Sequence, residues 1–175
     1  MKNVCGLRGS IMITNKLSKF FAIEIKNLDV SKILSKETIG EIYNILEEFS
    51  VVVFRNQNIT NEEHIKFSEN FGTLELTKVG TDGSGSKLII LRNFDKNGNI
   101  VSPTDRQRLN NLANQEWHSD SSFKKIPSKM SILSAKMIPS LGANTEFLSM
   151  RASYNALPQQ LKLKIDDKIC WHDYS

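Results

Sequence analysis

Asn114-Gln115-Glu116-Trp117-His118-Ser119-Asp120-Ser121-Ser122-Phe123 is the stretch on which the reading of this chain turns. If it runs extended, the two-residue period places His118 and Asp120 on one face and Trp117 and Ser119 on the other. An imidazole nitrogen and a carboxylate then lean toward one point. They supply two of the three ligands of a 2-His-1-carboxylate iron site, which leaves half of an octahedron open. The plainer alternative is a His–Asp hydrogen bond at a strand end with Trp117 in the core. Serines in the gaps, flanking aromatics and a long polar approach loop favour the metal reading.

Upstream, the patterning changes period several times. Phe20 to Ile25 mixes aromatic and β-branched residues and predicts a strand. From Lys36, the apolar residues Ile39, Ile42, Leu46 and Phe49 recur at helical spacing, and Ser50 ends that run. Val51-Val52-Val53-Phe54 reads as a buried strand and Arg55-Asn56-Gln57-Asn58 as its exit loop. Thr60 with Glu63 forms a capping box for a helix that turns Phe67 and Phe71 inward and stops at Gly72. Residues 80–86 predict a flexible loop, and Asn93 to Asn111 a wide surface excursion, a length common in functional lids.

Downstream, alternation predicts strands at Met130–Ala135 and Asn144–Leu148 around a turn at Pro139 and Gly142. Ser149 caps a short helix through Tyr154, and Leu157-Pro158 opens another. Helices early and strands late give an α+β chain with a curled sheet.

The 175 residues, 39% hydrophobic and 24% charged, with nine glycines and four prolines, exclude collagen-like and wholly disordered classes. A net charge of +4 is a weak case for nucleic acid, and no zinc finger, phosphate-binding glycine loop or arginine-rich patch strengthens it. Cys5 and Cys170 form no disulfide framework, and the longest apolar runs are four residues, too short for a bilayer. No signal-peptide pattern opens the chain, so a reducing cytoplasm is expected, with no membrane partner. Residues 1–11 read as an N-terminal extension, with Met12 as an alternative start.

The run Asn114 to Phe123, with Ile126-Pro127 and Gly142-Ala143-Asn144-Thr145-Glu146-Phe147, resembles the TauD/TfdA family of Fe(II)- and 2-oxoglutarate-dependent dioxygenases. Trp-His-Ser-Asp-Ser-Ser-Phe is nearer the 2,4-dichlorophenoxyacetate dioxygenase branch than the taurine branch. Val51 to Gln57, Phe71-Gly72, Met150-Arg151-Ala152 and Tyr154 agree. The resemblance implies a double-stranded β-helix (jelly-roll) fold, α+β in class, C-terminally incomplete here. Residues 12–175 would be the N-terminal part of one such domain.

By the same resemblance, His118 and Asp120 match the first two iron ligands, and Thr145 matches the threonine that hydrogen-bonds the distal carboxylate of 2-oxoglutarate. Asn114 matches a substrate-pocket asparagine. Glu75 stands where the taurine-type enzyme has a substrate-binding histidine, which counts against a taurine pocket. Gly142-Ala143 replaces a family glycine pair. The second histidine ligand and the arginine that pairs with 2-oxoglutarate are expected beyond Ser175.

The implied reaction consumes 2-oxoglutarate and O2 over Fe(II), releases succinate and CO2, and hydroxylates a small anionic organic acid, an aryloxy- or alkyl-carboxylate or a sulfonate. A homo-oligomer stays open. The alternatives are a zinc metalloenzyme using the same pair, and an inactive fragment or non-catalytic remnant. His172 reads as a surface or rim residue, His64 as helix packing and Arg151 as structural. Lys124, Lys125, Lys129 and Lys136 read as a solvated face or as a field toward anions.

Overall fold

Residues 12–77, 85–95, 97–105, 108–109 and 112–173 are described by the computed structural model. The expected extension at residues 1–11 lies outside them, as do residues 80–84 of the expected flexible loop. The chain divides into two compact units. One joins the residues up to Gly72 with Ser134–Ile169, and the other joins Thr73–Leu133 with Cys170 onward.

The first unit holds the packed core. Three strands, β1 (Ile13–Lys16), β2 (Ile23–Lys26) and β3 (Val52–Val53), lie in the order β1-β2-β3. β1 runs antiparallel to β2, with Ile13 opposite Lys26 and Lys16 opposite Ile23. β2 and β3 are parallel, with Ile23 opposite Val52. Parallel neighbours need a crossover, and helix α1 (Lys36–Phe49) provides it. Central β2 is covered on both faces, so Ile23, Glu24 and Ile25 are all buried. Glu24 is retained there because Arg55 Nε and Lys26 Nζ meet its carboxylate at 3.4 and 3.9 Å. A buried charge is tolerated only with such partners.

α1 begins as its sequence dictates. Ser35 accepts the amide hydrogen of Thr38 at 3.2 Å, and Ile42 on the apolar stripe is buried. The helix stops at Ser50, whose backbone is left-handed (φ 64°) and whose N–H returns to the Leu46 carbonyl at 2.7 Å. Arg151, from 101 to 104 residues further along the chain, closes that same end. Its Nη2 donates to the Glu47 carbonyl at 2.8 Å and to Ser50 Oγ at 2.7 Å. A cation on exposed carbonyls at a helix C-terminus also opposes the negative end of the dipole. Arg151 is thus structural, as its sequence setting implied.

Helix α2 (Asn61–Glu69) carries the expected capping box. Glu63 N–H donates to Thr60 Oγ1 at 3.2 Å, and Thr60 N–H donates to a Glu63 carboxylate oxygen at 2.7 Å. Phe67 is buried and packs edge-on against both Phe54 and Phe71, with ring centroids 5.7 and 5.4 Å away. His64 is buried on the same helix, in keeping with a packing role. Gly72 takes φ 140°, a conformation that L side chains rarely adopt, although a methyl group there would touch nothing.

Two short helices follow late in the chain. α3 (Met150–Ala156) is capped by Ser149, and α4 (Gln159–Ile165) starts after Pro158. Among the described residues no helix is long and apolar enough to cross a membrane.

The class is α+β, but several expectations are corrected. The early strand is displaced to Ile23–Lys26, and Phe20 is exposed. Val51–Phe54 contributes only the two-residue β3, half-buried at the sheet edge. β1 carries no buried side chain, so no hydrophobic pattern announces it. The strands expected at Met130–Ala135 and Asn144–Leu148 are not in a ladder, and every described strand lies before residue 54. A strand is stabilised by its neighbour, and none of the described segments pairs with either run. Asn93 to Asn111 contains a small hairpin, with Phe94 bridged to Ile100 over Gly98.

Gln57 links the exit loop to the turn after β2. Its Oε1 accepts from Val30 N–H at 3.0 Å, and its Nε2 donates to the Leu28 and Arg55 carbonyls at 2.9 and 3.0 Å. Gln57→Leu is expected to lower unfolding free energy by about 2 kcal/mol, because it orphans a half-buried amide and two carbonyls. Urea denaturation followed by circular dichroism reads the loss, and an unchanged midpoint would contradict this role.

Candidate metal centre

The motif segment enters through a single 3-10 turn, Ala113–Gln115, bends at Glu116 and runs without regular structure through Ser119 into a turn that begins at Asp120. His118 and Asp120 are both in the second unit, and their side chains do meet. His118 Nε2 lies 3.3 Å from Asp120 Oδ1. The other ring nitrogen, Nδ1, is 2.7 Å from the Glu116 carbonyl oxygen.

That second contact decides the chemistry of the first. A carbonyl oxygen can only accept, so Nδ1 carries the hydrogen. In the neutral imidazole Nε2 therefore presents a lone pair, and it presents it to a carboxylate oxygen. Two acceptors at 3.3 Å need a cation between them, either a proton on Nε2 or a metal. Ligand bonds of about 2.1 Å place a nitrogen and an oxygen about 3.0 Å apart at a right angle and about 3.4 Å apart at the tetrahedral angle. The observed separation fits a shared divalent ion in either geometry. A backbone acceptor on the far nitrogen is the usual way in which a ligating histidine is oriented.

Asp120 is held from its other side. Ser131 Oγ donates to Asp120 Oδ2, so one carboxylate oxygen is occupied and Oδ1 is left toward His118. Both side chains are about half exposed, which leaves room around the pair. Among the described residues no group of three or more His, Cys, Asp or Glu is assembled, and His118 and Asp120 meet as a pair.

A second polar cluster lies in the same unit. The Glu75 carboxylate accepts from Ser121 Oγ at 3.1 Å and Ser128 Oγ at 2.6 Å, and it pairs with Lys124 Nζ. The hydrogen bond from Lys124, then that from Ser128, holds the Glu75 carboxyl below its ordinary range. Neither Ser131 nor this role of Glu75 carries a local signal. Their partners are 11 and 46 to 53 residues away in sequence.

The remaining expected site residues are Asn114 and Thr145. Asn114 is exposed on the 3-10 turn. Thr145 belongs to the first unit, exposed on an irregular run after Gly142 (φ 75°) and Ala143 (φ 52°). Two successive left-handed residues make a tight turn there, and the alanine occupies it. Trp117 is 66% exposed, which removes the core role of the plainer alternative. His172 is exposed, as a surface residue should be. Of the lysines, Lys124 pairs with Glu75 and Lys136 donates to the Ile59 carbonyl, so neither is a free surface charge.

Residues 14–175 match the family model described as "Taurine catabolism dioxygenase TauD, TfdA family". The chain belongs to this family. It is 36% identical over 160 residues to the α-ketoglutarate-dependent 2,4-dichlorophenoxyacetate dioxygenase of Cupriavidus pinatubonensis, covering 89% of this chain and 56% of that protein. It is 35% identical to the Burkholderia sp. enzyme of the same name, covering 85% and 52%. The solved structure of AAD-2 in complex with Mn(II) and N-oxalylglycine superposes with a TM-score of 0.79 at 37% identity, over 89% of this chain and 53% of that one. The chain thus spans about half the length of the relatives it matches, and the likeness is to the 2,4-dichlorophenoxyacetate branch.

With its imidazole neutral, His118 is expected to be the Nδ1–H tautomer in the metal-free chain. Long-range proton–nitrogen correlation spectra distinguish the two nitrogens, and an Nε2–H tautomer would contradict the geometry.

Proposed function

We propose that the protein to which this chain belongs is an Fe(II)- and 2-oxoglutarate-dependent dioxygenase that hydroxylates a small organic acid. The observation that supports it most directly is the His118 Nε2 to Asp120 Oδ1 approach of 3.3 Å, with Nδ1 engaged by the Glu116 carbonyl. On this reading residues 12–175 form the N-terminal part of one jelly-roll dioxygenase domain, and the remaining iron ligand comes from outside the described residues. Fe(II), when bound, supplies the redox chemistry that couples decarboxylation of 2-oxoglutarate to succinate with hydroxylation of the substrate by O2.

The chain's own residues have narrower tasks. His118 and Asp120 supply two adjacent donors and leave the other coordination positions to cosubstrates. Ser131 keeps Asp120 Oδ2 occupied, which turns Oδ1 to the metal side. Thr145 donates its hydroxyl to the distal carboxylate of 2-oxoglutarate, and Asn114 lines the substrate pocket. The substrate class is an aryloxy- or alkyl-carboxylate or a sulfonate. The aryloxy acids are favoured by the names of the relatives, 2,4-dichlorophenoxyacetate and (S)-phenoxypropionate dioxygenases. A cytoplasmic location accords with chemistry that needs ferrous iron and 2-oxoglutarate.

A zinc enzyme is the second reading, because 3.3 Å also suits a tetrahedral ion. Anaerobic reconstitution followed by metal analysis separates the two. For the dioxygenase, the full-length protein with phenoxyacetate is expected to form succinate in step with hydroxylated product, only with Fe(II) present. His118→Ala and Asp120→Ala should each reduce this to background. Thr145→Val is expected to raise KM for 2-oxoglutarate about tenfold, from loss of a charge-assisted hydrogen bond. Zinc retention with no succinate formation would overturn the assignment.

A further inference from the structure

Asp120 sits at the start of a segment with no helix or strand to hold it, running from the turn at residues 120–123 to Ser131. Its first side chain, Ser121, is in the left-handed region (φ 55°), and Lys124 N–H closes the turn on the Ser121 carbonyl at 3.0 Å. The far end of the segment returns to the ligand itself, since Ser131 Oγ donates to Asp120 Oδ2. A loop of this kind keeps its ends in register only if something grips both.

Glu75 grips both. Through one carboxylate it takes Ser121, directly beside Asp120, at 3.1 Å, and Ser128, three positions before Ser131, at 2.6 Å. Lys124, between them, adds its ammonium to the same oxygen as Ser121. All three donors come from the loop, and the acceptor comes from chain 46 to 53 residues earlier. We propose that Glu75 is a positioning residue for the metal carboxylate, acting through the Ser121–Ser128 loop to keep Asp120 Oδ1 turned to His118. The proposal rests on reading His118 and Asp120 as metal ligands.

The energetic logic favours an effect on affinity over one on stability. Exposed ion pairs and hydrogen bonds contribute little to folding free energy. Ligand preorganisation is a different quantity, because a carboxylate free to rotate must be ordered each time the metal binds. Outer partners of ligating groups therefore change metal affinity by about ten- to a hundredfold while the fold is kept.

The test is binding of Mn(II) alone to the full chain, followed by electron paramagnetic resonance of free and bound ion. Glu75→Ala is expected to weaken binding about tenfold and to broaden the bound-Mn(II) spectrum, with the thermal unfolding midpoint unchanged. The Ser121→Ala/Ser128→Ala pair should do the same, and combining it with Glu75→Ala should add no further loss, the mark of one shared interaction. That pair also carries the test should Glu75→Ala fail to fold. Wild-type affinity in Glu75→Ala, or losses that multiply, would overturn the positioning role while His118→Ala still abolished binding. Unchanged binding in His118→Ala would overturn the ligand reading, and this proposal with it.

Discussion

The hydrogen bond from His118 Nδ1 to the Glu116 carbonyl is the constraint on which the site depends. It is local, two residues back along the chain, and it spends the ring's only hydrogen on a partner that can do nothing but accept. Everything that follows is a consequence of where the lone pair is left. Nε2 faces a carboxylate that is itself half-occupied by Ser131, so the two unsatisfied acceptors converge on one point. Without that backbone bond the ring could flip or change tautomer, and the same His-x-Asp pair would close into an ordinary hydrogen bond.

How much of this was legible follows from range in sequence. His118 and Asp120 were marked by their spacing and do meet, although Asp120 lies in a turn and not on a strand, and Glu116 lies within the same short run. The helices were legible for the same reason. Thr60 with Glu63, and Ser149, each act on an amide three residues away. What sequence pattern did not reveal acts over distance. Arg151 on the end of α1, Glu75 on the loop after Asp120 and Gln57 between two turns are polar side chains whose partners are set by tertiary structure. No periodicity marks them.

The expected late strands fail for a related reason. Alternation in Met130–Ala135 and β-branched or aromatic residues in Asn144–Leu148 describe a face, and a face becomes a strand only when a neighbour supplies hydrogen bonds. Among the described residues neither run has one, and Leu133, Phe147 and Leu148 remain exposed. Among the described residues the buried hydrophobic core is confined to the stretch between Ile23 and Phe67, where sheet, α1 and α2 are all present. Strand propensity without a ladder is therefore consistent with a chain that spans about half of its relatives.

The lysines after the motif show how a tertiary contact changes the meaning of a charge. Read along the sequence, Lys124, Lys125, Lys129 and Lys136 form a positive run that could draw anions. In three dimensions Lys124 is paired with the Glu75 carboxylate, and Lys136 donates to the Ile59 carbonyl, where it serves as a hydrogen-bond donor to backbone. A paired cation contributes a short-range dipole in place of a monopole, and at physiological salt such a field is screened within about 8 Å.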